Sequence, residues 1–158
     1  MKRIDCILAN SGFAEYLRRI ATLEADRIFC RHDLAHMLDV CRVAWILSLE
    51  GGYGEARDVV YAAGLLHDIG RWQEYETGCD HAEAGAELAG PILEACGYDD
   101  DEKTKVKLAI LGHRNGEERS TLGELLYKAD KISRPCASCA ALNVCKRFPD
   151  HQAPEFEY

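Results

Sequence analysis

Apolar residues recur every three or four positions along nearly the whole chain, and no segment alternates apolar with polar residues as a half-buried strand would. The pattern predicts a short turn of helix over residues 3–9 and a helix from about Phe13 to Ile28. A further helix runs from about Asp33 to Leu49, with Leu34, Leu38, Cys41, Trp45 and Leu49 along one face. Gly51 and Gly52, with Gly54 just beyond, stop it. The next helix spans about Glu55 to His67; its stretch VVYAAGLL is apolar on nearly every side and is expected to be the buried central helix. Gly70 ends it, and RWQEYETGCD reads as a polar and aromatic surface loop. Helices follow from about His81 to Ala95, closed by Gly97, from about Asp101 to Leu111, and from about Ser120 to Ser133, ended by Pro135. The acidic run DDDE opens the second of these, where carboxylates favour the helix dipole. The expectation is an all-α helical bundle in one domain, with no linker and no internal repeat.

Length and charge narrow the function classes. A chain of 158 residues can bury a real core. A formal net charge of -8 disfavours a nucleic-acid duplex or an anionic membrane as main partner. It leaves room for a small phosphorylated substrate, because a metal ion can supply local positive charge. The apolar stretches are too short and too interrupted by charge to span a bilayer, and Asp5 breaks the opening run, so no secretory signal is read. A cytoplasmic protein with reduced cysteines is expected, its single cysteines Cys6, Cys30, Cys41, Cys79 and Cys96 serving as small apolar residues.

Four of the six histidines fall on apolar helix faces. His36 stacks at helical spacing with Val40, Val43 and Leu47; His81 lines up with Ala84, Gly85, Leu88 and Ile92; His113 follows Val106, Ala109 and Ile110; His67 ends the buried helix. Asp130 sits one turn after Leu126. A buried carboxylate is costly unless it is paired or bound to a cation. Any one of these histidines alone would be an ordinary hydrogen-bonded core residue. Several imidazoles and two carboxylates converging on one core are what a divalent metal site requires. His67 and Asp68 are adjacent on a helix, so their side chains splay by roughly 100° and can face different ions.

These residues carry a resemblance. His36, then LLHDIG with His67 and Asp68, then His81, His113 and Asp130 in YKADK, together with the contexts HAEAGAELAGPIL and AILGHRN, resemble the HD superfamily of metal-dependent phosphohydrolases. The resemblance covers about Arg31 to Pro135, leaving residues 136–158 as a tail. It implies an HD-domain fold. It also implies one or two divalent ions (iron, manganese, zinc, nickel or cobalt): one at His36, His67, Asp68 and Asp130, and a second at Asp68, His81 and His113, with Asp68 as the bridge. It implies a catalytic role for His67 and Asp68 and hydrolysis of a phosphate ester, a nucleotide or dinucleotide, by metal-activated water. Two other classes keep the same ligand order: a di-iron oxygenase, and a non-catalytic module that senses a nucleotide or metal.

Several residues near the proposed ligands have two readings. Arg71 and Arg114 are candidate anion contacts or solvated surface cations. Trp72 and Tyr75 can stack on a base or cover the core. In RHDLAH, Asp33 reads as a helix N-cap, with His32 either incidental or a proton-transfer group beside the site. Cys136, Cys139 and Cys145 have a spacing that can chelate a soft metal, zinc or an iron–sulfur cluster, if His151 or a distant cysteine is the fourth ligand. Otherwise they are reduced thiols packed on the bundle.

Overall fold

The computed structural model describes residues 1–114 and 120–158. Among these there are eight α-helices and two 3₁₀ turns, and no strand. The helices are α1 (Lys2–Ala9), α2 (Ser11–Leu23), α3 (Leu34–Glu50), α4 (Arg57–Leu66), α5 (Arg71–Thr77), α6 (His81–Ala95), α7 (Asp100–Gly112) and α8 (Thr121–Ile132). The 3₁₀ turns, Cys136–Ser138 and Leu142–Val144, lie in the tail.

Helix α4 touches α1, α3, α6, α7 and α8. Seven of its residues, Val59 to Leu66 without Tyr61, are buried, which is why its sequence is apolar on every side. Around it α3 packs on α8, and α7 bridges α6 and α8. A continuous core of Met37, Val40, Leu65, Leu66, Leu93, Ile110 and Leu126 ties these helices together. The helix starts follow local chemistry. The Asp33 carboxylate accepts from the His36 backbone N–H at 2.9 Å, the N-cap read from the sequence. Asp99 and Glu102 form a reciprocal capping box on α7.

Three expectations need correction. Helix α2 stops at Leu23 rather than near Ile28, because Glu24 leaves helical geometry as its C-cap and turns its side chain inward. The polar segment after Gly70 is not a loop throughout: Arg71–Thr77 forms α5, packed against α2 and α6 and closed by Gly78 at φ 78°. The cysteines are not all free thiols: Cys6 of α1 and Cys96 at the end of α6 form a disulfide, their Cα atoms 5.6 Å apart across 90 residues of sequence. Nothing local marks that pair, since packing of the two helix ends brings it together.

Candidate metal centre

Two sets of side chains each bring one ligand atom to within 4.8 Å of the others: His36, His67, Asp68 and Asp130; and Asp68, His81 and His113. Asp68 belongs to both. The six residues come from α3, the α4–α5 corner, the start of α6, the end of α7 and α8. All are buried except His36, which is nearly so. His67 is the C-cap of α4 and keeps helical backbone angles, and Asp68, the next residue, places Oδ1 3.4 Å from His81 Nε2 of the second set.

The hydrogen bonds fix how the imidazoles face. His67 Nδ1–H donates to the Gly64 carbonyl at 2.7 Å, which turns Nε2 inward. That buried Nε2 has no hydrogen-bond partner; Asp68 Oδ2 is 2.9 Å away but outside hydrogen-bonding alignment. His113 Nδ1–H donates to the Ile110 carbonyl at 2.5 Å, leaving the Nε2 lone pair free. His81 Nδ1 lies 3.1 Å from Glu74 Oε2, an acceptor, and 3.3 Å from Arg114 Nη1, a donor, so its proton sits on Nδ1 when Glu74 is the partner and on Nε2 when Arg114 is. The two Nε2 atoms then face one another at 3.2 Å, with Asp68 Oδ1 at 3.4 and 3.7 Å. Two imidazole nitrogens and a carboxylate oxygen this close need either a proton between the rings or a divalent cation among them to be compatible. The donor set of imidazole nitrogens and carboxylate oxygens fits such an ion, with His67 and His113 oriented by hydrogen bonds from Nδ1 to backbone carbonyls.

The electrostatics agree. Burial pushes His81 down to about 4, and Arg71 beside it adds to that, so its ring is neutral near pH 7, as a ligand must be. Burial also lowers His36. Burial works against the charge on Asp68, but His67, His113 and His32 outweigh it and hold the carboxyl well below its ordinary range. For Asp130 burial is likewise outweighed, by His36, Arg134 and His67. His67 moves the other way: burial opposes its charge, but Asp68 and Asp130 raise it.

Residues around this centre were only partly legible in sequence. Arg71 is ion-paired: Nε donates to Asp68 Oδ1 at 3.0 Å and a terminal nitrogen to Glu74 Oε2 at 2.9 Å. Arg114 reaches Glu74, Asp80 and the edge of His81. Asn115 of the AILGHRN stretch lies outside the described residues. Trp72 belongs to packing, its ring stacked 6.0 Å from Tyr16 and covered by the Arg19 guanidinium. Sequence reasoning missed Glu24, Glu74, Lys131 and Arg134. Glu24 is buried, accepts from the His32 backbone N–H and ring Nδ1–H and from the Tyr75 hydroxyl, and so aims His32 Nε2 at Asp68 Oδ2, 3.8 Å away. Its sequence signal is a charge four residues after buried Ile20, on the apolar stripe of α2. Arg134 donates to Asp130 Oδ1 at 2.6 Å and lies 3.3 Å from His36 Nε2; its signal is i,i+4 spacing from Asp130. Lys131 donates to Asp130 Oδ2 at 2.6 Å.

The tail cysteines do not form a ligand set with one another. Among the described residues no group of three or more ligand atoms in mutual reach includes a cysteine, and His151 is exposed. The two short turns direct Cys136 and Cys145 to different clefts. One, of about 320 Å³, runs beside His36 and is lined by Phe29, Pro135 and Cys136. The other, of about 420 Å³, includes His32, Cys145 and the tail residues after it. Cys30 and Cys139 line both.

Comparison with known proteins supports the same frame. The family model described as the HD domain matches residues 33–134. An uncharacterised protein of Clostridium beijerinckii is 39% identical over 145 residues, 92% of each chain. Ribonuclease Y 1 of Pediococcus pentosaceus is 32% identical over 120 residues; the match covers 75% of this chain but only 21% of that protein. A crystal structure of a predicted HD superfamily hydrolase from an uncultured Thermotogales bacterium superposes with a TM-score of 0.59 at 33% identity, covering 75% of this chain and 66% of the other. With its all-helical architecture and a family match over most of its length, the chain belongs to the HD domain family.

Proposed function

We propose that this HD-domain protein is a metal-dependent phosphohydrolase acting on a small phosphate ester. The observation that carries the reading is the buried pair of ligand sets sharing Asp68, beside a cleft whose lining residues Arg71, Lys131 and Arg134 are ion-paired to Asp68 and Asp130. His36, His67, Asp68 and Asp130 would hold one ion, and Asp68, His81 and His113 a second. A divalent ion bound there acts as a Lewis acid and makes water acidic enough to attack a phosphoryl group near neutral pH.

The protein's own residues do the rest. Arg134 and Lys131 stand at the Asp130 end of the site and Arg71 at the Asp68 end, where they can bind phosphoryl oxygens in the ground and transition states. His32, held by Glu24, can take or give a proton at Nε2 beside Asp68. Arg114 and Glu74 lie against His81 Nδ1, where they orient its ring. The cationic cleft favours a phosphate substrate over the uncharged substrate that an oxygenase reading allows.

The test is metal analysis of the purified protein with a panel of nucleotides, dinucleotides and a short RNA, the last because ribonuclease Y is a relative. Phosphate-ester cleavage should require added divalent metal, be indifferent to oxygen and collapse in Asp68→Ala. Oxygen consumption by a ferrous enzyme, or tight nucleotide binding without turnover on any metal, would refute it.

A further inference from the structure

We propose that the 420 Å³ cleft beneath the C-terminal tail is a subsite for a compact oligophosphate group, adjoining the phosphoryl position at the metal centre. Only the identity of that neighbouring position rests on the hydrolase reading; the anion subsite stands on its own geometry. The cleft gathers Arg27, Arg71, Lys131, Arg134, Lys146 and Arg147, six of the 19 basic residues in a chain of net charge -8. No carboxylate is among its described lining residues.

The cations divide into two groups. Arg71, Lys131 and Arg134 are already ion-paired to the aspartates of the metal centre, so they mark the inner wall. Lys146 and Arg147 come from the tail and form the outer wall; no ion pair among the described residues involves either. Arg147 is steered by its donation to the Lys131 carbonyl and by the Phe148 ring, which leaves its charge uncompensated. Arg27 is between the groups, donating to the Cys30 carbonyl with Glu24 no nearer than 3.9 Å. Exposed, unpaired cations beside ion-paired ones in one cleft offer an anion several donors at once. A chain of two or three phosphoryl groups presents more charged oxygens to these six cations than a single phosphate can. The cleft has the size of a small-ligand site rather than an extended groove, and the acidic remainder of the chain disfavours a long polyanion such as an RNA strand.

Titration calorimetry on the whole metal-stripped protein tests this, with inorganic phosphate, pyrophosphate, tripolyphosphate and a 20-nucleotide single-stranded RNA as probes. Tripolyphosphate should bind at least tenfold more tightly than phosphate. The charge reversal Lys146→Glu with Arg147→Glu should weaken it at least tenfold, while Lys2→Glu, on the exposed end of α1, should leave it unchanged. Circular dichroism melting of the double variant checks that the tail's change has not unfolded the bundle, and Lys146→Gln with Arg147→Gln should give a smaller loss in the same direction. Equal affinity for phosphate and tripolyphosphate, an unaffected double variant, or RNA binding tighter than tripolyphosphate would overturn the proposal. Metal-dependent turnover of p-nitrophenyl phosphate by the unmodified protein, measured in parallel, separates the two readings. Turnover without selective tripolyphosphate binding removes only the subsite, and selective binding without turnover removes only the hydrolase.

Discussion

Gly70 is the residue whose replacement by alanine tests how the second ligand set is built. A β-carbon there would lie 2.2 Å from the His81 carbonyl oxygen, 2.5 Å from the Gly85 backbone nitrogen and 3.0 Å from Ala84 Cβ. Two of these are backbone atoms of α6, so no side chain can rotate away. A carbon–oxygen contact needs about 3.3 Å, so α6 must move by about 1 Å from the corner that carries His67 and Asp68. His81 Nε2 is now 3.4 Å from Asp68 Oδ1, a spacing an ion between them must match. The displacement therefore acts on the His81–His113 set and spares His36, His67 and Asp130, which α6 does not hold. Forced overpacking costs about 3 kcal/mol, and for a chain of this size that lowers Tm by about 6–12 °C. Thermal melts and metal counting on Gly70→Ala should show that fall together with loss of the second ion and retention of the first. A variant that melts within about 2 °C of the parent and holds both ions would refute the close-packing argument.

Asp68→Ala should lose both ions and His81→Ala only the second, read by elemental analysis; equal loss in both would show that the two sets are not separable. Glu24 is buried, and although burial opposes its charge, hydrogen bonds from His32 and Tyr75 hold its carboxyl at about 2 against an ordinary 4.5. A depressed acid stabilises the fold fully above pH 4.5 and loses that contribution as pH falls through about 2, so Glu24→Gln should flatten the acid limb of stability by at most about 3 kcal/mol. Reducing the Cys6–Cys96 bond, or Cys6→Ser, should lower stability by about 4 kcal/mol from the 90-residue loop it closes, seen as a lower Tm in reductant. Asp33→Ala should cost about 1 kcal/mol by removing the α3 cap, with metal content unchanged.

The amino-acid sequence by itself was enough for seven of the eight α-helices among the described residues, for α4 as the central one and for the order of His36, His67, Asp68, His81, His113 and Asp130. Those properties are written locally: apolar spacing at 3.6 residues per turn marks the buried faces, and a titratable residue on such a face is conspicuous because burying it alone is unfavourable. Capping is equally local, and Asp33 was readable for that reason. The Arg71–Thr77 helix was not, because its seven residues have too few turns to show a period and take their stability from α2 and α6. Only tertiary packing decided that Cys6 meets Cys96, that Glu24 turns inward to hold His32, and that Trp72 sits against Tyr16 rather than at the site. It also decided that Cys30 lies beside the clefts that Cys136, Cys139 and Cys145 of the tail line. Each is a contact between segments far apart in the chain, carried by one or two side chains with no repeating pattern. The same limit explains the basic cleft: its six cations are scattered from Arg27 to Arg147 in an acidic chain, and folding alone concentrates them.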